Sequence, residues 1–79
     1  MKIEVLGTGC AKCNALENAV RNVANEMAID YTLEHVKDIV KITDYGVLMT
    51  PALVVDGDVK FTGKVPGADE IRRTLEAAR

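Results

Sequence analysis

"PALVVDGDVKFTG", residues 51–63, decides how this chain is built. A β-rich run reaches Asp56-Gly57, a favoured two-residue hairpin turn, and a second strand follows from Val59 to Thr62. After it, Pro66 and Gly67 open a last helix with Ile71, Leu75 and Ala78 on its inner face. Before it, "KDIVKITDYG" (37–46) has Asp38 as a helix start, Ile39 and Ile42 on one side and Gly46 as a stop. "DYTLEHV" (30–36) alternates, with Tyr31, Leu33 and His35 opposite Thr32, Glu34 and Val36, which predicts a strand. Further upstream, Leu16, Val20, Val23 and Met27 recur at four, three and four residues, the spacing of one helical face. Asn14, Asn18, Arg21, Asn22 and Asn25 occupy the solvent side of that helix, which is expected to end near Ala28. "KIEVLG" (2–7) carries Ile3 and Val5 on one face and stops at Gly7, as a short strand does.

The expected order is therefore β-α-β-α-β-β-α. Strand, helix, strand implies a right-handed parallel crossover, and the late hairpin adds antiparallel strands to the same sheet. The fold class is α/β: a four-stranded mixed sheet with helices on both faces, burying "ALVV" (52–55) from both sides. Residues 1–79 are expected to form a single domain, and the chain shows no internal repeat and no linker.

With 48% hydrophobic and 28% charged residues, the chain has the balance of an ordinary globular protein. A net charge of −2 with no cluster of Lys or Arg argues against a nucleic-acid surface. No apolar run is long enough to span a bilayer, and "MKIEVLG" lacks the apolar core and cleavage site of a secretory signal. A cytoplasmic monomer with neither a membrane nor a nucleic-acid partner is the expectation.

That setting bears on "GTGCAKCNAL" (7–16), which holds both cysteines, Cys10 and Cys13. Cytosolic thiols are normally kept reduced, and a disulfide there is usually transient and catalytic. As a structural staple, Cys10–Cys13 would close a minimal loop and restrict the unfolded chain very little. The strand-to-helix boundary falls at Gly9-Cys10, so Cys10 opens a long helix whose unpaired N–H groups and dipole favour an anion. Its thiol pKa should fall below the free value of about 8.5. At a pKa of about 7, half the thiol is ionised at neutral pH, against roughly 3% for an unperturbed one. Cys13 lies one turn further in and more covered. Cys10 is thus the expected attacking thiolate, and Cys13 the thiol that resolves the mixed disulfide. Lys12, between them, either adds positive potential or is simply a solvated lysine. Gly7 and Gly9 flank Thr8; they permit a tight turn and, at Gly9, close approach by a substrate backbone.

Metal binding is the competing use of the pair. Zinc wants four ligands, and the chain offers two Cys and one His, His35, far along in a strand. A soft metal such as Cu(I) needs only two thiolates, and arsenite also suits a dithiol. Small ferredoxin-like metal carriers place C-x-x-C between a first strand and helix, but in the order β-α-β-β-α-β. The late hairpin and helical end of this chain disfavour that order. A soft-metal or arsenite-binding dithiol without turnover stands as the alternative.

"GTGCAKC" (7–13), "YGVLMTPALVVDG" (45–57) and "GKVP" (63–66) closely resemble the small archaeal and bacterial thioredoxin-like proteins. These redox-active disulfide proteins share features with glutaredoxins, and the resemblance covers almost the whole chain. It implies a thioredoxin fold and thiol–disulfide exchange on protein substrates. It also implies a cis Thr50–Pro51 bond beside the dithiol, with the backbone of Thr50 left to pair with an extended substrate. Pro51 has no N–H to commit to a sheet ladder. Tyr45, near this segment in sequence, is either a further residue that tunes the pair or a core-packing tyrosine. Electrons would come from a flavin-dependent, thioredoxin-reductase-like enzyme, because no nucleotide-binding fingerprint is present and no cofactor is implied. Departures from the family pattern are the Ala-Lys between the cysteines, the absence of tryptophan and an interrupted glutathione-binding stretch at "FTGKVPGADE" (61–70). No buried acid corresponding to the proton acceptor of larger thioredoxins is assigned; Glu4 lies on the first strand, without a placement.

Overall fold

The computed structural model describes residues 1–9 and 11–79. Seven elements follow in the expected order: β1 (Lys2–Leu6), α1 (Ala11–Glu26), β2 (Thr32–Val36), α2 (Ile39–Asp44), β3 (Ala52–Val55), β4 (Asp58–Thr62) and α3 (Ala68–Ala78). The strands form one mixed sheet in the order β2-β1-β3-β4. The α1 crossover makes β1 and β2 parallel, in register from Lys2↔Thr32 to Leu6↔Val36. β1 runs antiparallel to β3, and β3 antiparallel to β4.

Asp56 and Gly57, with φ of 50° and 86°, both occupy the left-handed region that a tight hairpin turn requires. Asp56 also ties the turn to β1. Its Oδ1 accepts a hydrogen bond from the Lys2 N–H at 2.8 Å, and its own N–H donates to the Lys2 carbonyl at 2.8 Å. β4 is an edge strand with Lys60 exposed and a register shift opposite Leu53 and Val54, both features that discourage pairing with another chain.

Alternation along β1 and β3 sends side chains to two different layers. Ile3, Val5, Leu53 and Val55 pack with Leu16, Val20, Val23 and Ala24 of α1 and with Ile71 and Leu75 of α3. Leu6, Val36, Ala52 and Val54 pack on the other side with Ile42 and Val47, and Tyr45 lies against them. The expectation that Ile39 turns inward beside Ile42 is corrected: Ile39 is 66% exposed. A six-residue helix makes fewer than two turns, and here Ile42 alone is buried.

α2 begins at Asp38, whose carboxylate accepts the Val40 N–H at 2.9 Å, and stops at Gly46, with φ of +77°. α1 ends at Glu26, two residues before the expected position. The Ala28 N–H donates to Asn25 (3.1 Å) and the Ile29 N–H to Ala24 (3.4 Å), a Schellman closure with Ala28 at φ 54°. The Thr50–Pro51 peptide bond is cis. No helix among the described residues is long and apolar enough to cross a membrane.

Candidate functional site

Three segments converge where β1 gives way to α1. Gly7 extends the parallel ladder by donating its N–H to the Val36 carbonyl at 3.0 Å. Cys13, fully buried in the first turns of α1, sets its Sγ directly against Gly7. A Cβ on Gly7 would overlap that sulfur and would also stand 3.8 Å from the Thr50 Cβ. The two glycines of "GTG" therefore serve different ends. Gly7 is small because Cys13 and Thr50 close on it, whereas Gly9 is exposed and has φ +96°, a turn conformation that L side chains rarely adopt. Cys10, the expected attacking thiolate, lies outside the described residues.

Thr50 is exposed and Pro51 buried, and the Pro51 carbonyl accepts the Gly63 N–H at 2.8 Å. Just upstream, Leu48 is 95% and Met49 63% exposed. Met49 lies across Gly63: its Cε would be 3.1 Å from a Cβ built there. Thr50 is thus an exposed residue next to an apolar segment whose Leu48 and Met49 are also exposed. Lys12 is exposed on α1, and no ion pair joins it to a carboxylate among the described residues.

Tyr45 has its own partner. Its hydroxyl donates to Glu4 Oε1 at 2.6 Å. That hydrogen bond, then burial and the charges of Glu4 and Glu34, push the Tyr45 phenol above its ordinary value. Glu4 is a buried acid, 6% exposed, where the sequence had suggested no such residue. It lies in register with Glu34 of β2. A cue was available: Ile3, Val5 and Leu6 put apolar groups on both faces of β1, so a carboxylate between them needs a buried partner. A second unforeseen pair joins α1 to β2, with His35 Nδ1 2.8 Å from Glu17 Oε1.

The sheet order, the single long crossover helix and the Gly7–Cys13–Thr50 convergence define a thioredoxin-fold protein with a cysteine at its helix start. The chain belongs to the thioredoxin domain family, whose model matches residues 1–76. It is 40% identical over 75 residues to a thioredoxin of Methanothermobacter thermautotrophicus, covering 95% of this chain and 97% of that protein. It is 35% identical over 75 residues to a thioredoxin of Methanocaldococcus jannaschii, covering 95% of this chain and 86% of the relative. A second thioredoxin of that organism is 34% identical over 67 residues. Membership of this family supports a function of the thiol–disulfide oxidoreductase kind.

Proposed function

We propose that this protein reduces disulfides in other proteins through the Cys10/Cys13 dithiol. The Cys10 thiolate attacks one sulfur of the substrate disulfide, forms a mixed disulfide and expels the other sulfur as a thiolate. Cys13, having given up its proton, attacks the Cys10 sulfur and releases the second substrate thiolate. The substrate gains two electrons and the protein keeps a Cys10–Cys13 disulfide. A flavin-dependent, thioredoxin-reductase-like enzyme would return the electrons, and a reducing, cytoplasmic setting and action as a single-domain monomer fit this cycle.

One observation carries the reading: the Cys13 sulfur is held under Gly7 beside Thr50. A covered thiol suits the resolving step, because it does not compete with the attacking thiolate for external disulfides. Exposed Thr50 offers its backbone to a substrate strand, and exposed Gly9 allows close approach of a substrate backbone. The test is insulin reduction by the protein with dithiothreitol as the terminal reductant, measured against the reaction without protein. Wild type is expected to turn over, and Cys10→Ser to lose all activity above background. Full activity in Cys10→Ser would overturn the mechanism. Stoichiometric Cu(I) or arsenite binding by a wild type that reduces nothing would replace it with the dithiol carrier.

A further inference from the structure

We propose that Met49 is a positioning residue, its side chain latching the 47–51 loop to Gly63, and an oxidation site: conversion of its thioether to the sulfoxide releases the latch and weakens the docking of disulfide substrates. The docking part of this role rests on the redox reading proposed above, in which a substrate strand lies along the backbone of Thr50.

Two contacts join this loop to the residue that follows β4. The Gly63 N–H donates to the Pro51 carbonyl at 2.8 Å. Beside that bond the Met49 side chain lies along Gly63. A Cβ built on the glycine would stand 3.1 Å from its Cε, 3.3 Å from its Cβ and 3.5 Å from its Sδ. Gly63 also has φ +74°, so both the space and the backbone conformation favour glycine there. Exposed Thr50 is thus held between two residues, Met49 and Pro51, that each grip Gly63.

Met49 differs from the other two methionines of the chain. Met1 and Met27 are partly buried against the core under α1 and α3, whereas Met49 is 63% exposed and belongs to neither buried cluster. Hydrogen peroxide therefore meets the Met49 sulfur first. A sulfur lone pair attacks one peroxide oxygen, the O–O bond breaks and an S–O bond forms. The second oxygen takes the remaining proton and leaves as water, so the thioether loses two electrons and the peroxide gains them. The sulfoxide is polar where the thioether was apolar. Gly63 has no side chain to satisfy the new oxygen, and its N–H is already committed to Pro51. Water is the better partner, and the side chain leaves the glycine for it.

The experiment begins with peroxide treatment of the disulfide form of the wild type, in which no thiol is free, and peptide mass mapping. Met49 is expected to be oxidised ahead of Met1 and Met27. After removal of the peroxide, dithiothreitol restores the dithiol and leaves the sulfoxide, which is reversed by dedicated reductases. In that protein the Gly63 amide should exchange with D2O faster than in untreated protein. Its KM for insulin should rise about tenfold, the low end for one misplaced apolar contact, with kcat unchanged. Met49→Gln should reproduce both effects without peroxide. Met49→Leu should keep the untreated KM and show no response to peroxide. Oxidation of Met49 no earlier than Met27, or an equal peroxide response in Met49→Leu, would overturn the proposal. Faster Gly63 exchange in the sulfoxide, with no insulin reduction by untreated wild type, removes the redox reading and leaves the latch standing. Insulin reduction by wild type, with Gly63 exchange unaltered by the sulfoxide, removes the latch alone.

Discussion

The two faces of the sheet are built differently. Among the described residues, a cluster of ten buried apolar residues lies towards α1 and α3, drawn from two long helices and both central strands, with the part-buried Glu17–His35 pair at its β2 side. Towards α2 there are six, under a helix of six residues, and the layer includes a buried carboxylate and a tyrosine. The first face supplies most of the hydrophobic driving force, at about 1.5–3 kcal/mol for each fully buried aliphatic side chain. The second carries less apolar burial and leads straight into the Val47–Pro51 loop that reaches the site. Stability and chemistry are thus separated across one sheet, and they meet at Gly7, where β1 ends.

Substitutions can break that comparison. The largest effect belongs to the apolar layer: Leu16→Ala should cost about 3–4 kcal/mol in urea unfolding, against about 2 kcal/mol for Ile42→Ala across the sheet. Equal costs would erase the asymmetry. Gly7→Ala comes next, at about 2 kcal/mol, because its Cβ would overlap the Cys13 sulfur. It should also slow insulin reduction well beyond what its stability loss explains, which kinetics at a temperature far below unfolding will show.

Tyr45→Phe should cost about 1–2 kcal/mol at pH 7, by removing a hydrogen bond to a buried carboxylate. It should also alter the alkaline limb of the stability curve. The folded-state pKa of Tyr45 lies above the unfolded value of 10.0, so its contribution is complete below pH 10.0 and is lost as pH rises through the folded pKa. Unfolding curves from pH 9 upward should therefore fall more steeply for wild type than for Tyr45→Phe. The smallest effect is a gain. Ala28→Gly should stabilise by about 0.5–1 kcal/mol, since Ala28 holds the left-handed position that closes α1.

Most of the architecture was legible because it depends on local signals. Asp56-Gly57 forces a hairpin, Asp38 and Gly46 bracket α2, and the spacing from Leu16 to Val23 marks the inner face of α1. Ile39 was misread because apolar spacing in a short segment says nothing of how far the partner layer extends. Glu4 was missed for a topological reason: its burial follows from β1 lying between β2 and β3, an arrangement set by distant strands. Gly7 and Gly9 read alike in sequence, since only the fold shows that one yields space to a sulfur and the other adopts a left-handed turn.

The central claim is that the covered Cys13 resolves a mixed disulfide formed at Cys10, and trapping tests it most directly. Reduced Cys13→Ser protein is mixed with a disulfide-containing protein substrate, and the products are read by intact mass. A persistent one-to-one covalent adduct, released by dithiothreitol and mapped by peptide analysis to Cys10, is the predicted result. No adduct under conditions where wild type reduces the same substrate, or an equally stable adduct on Cys13 of the Cys10→Ser variant, would contradict the account.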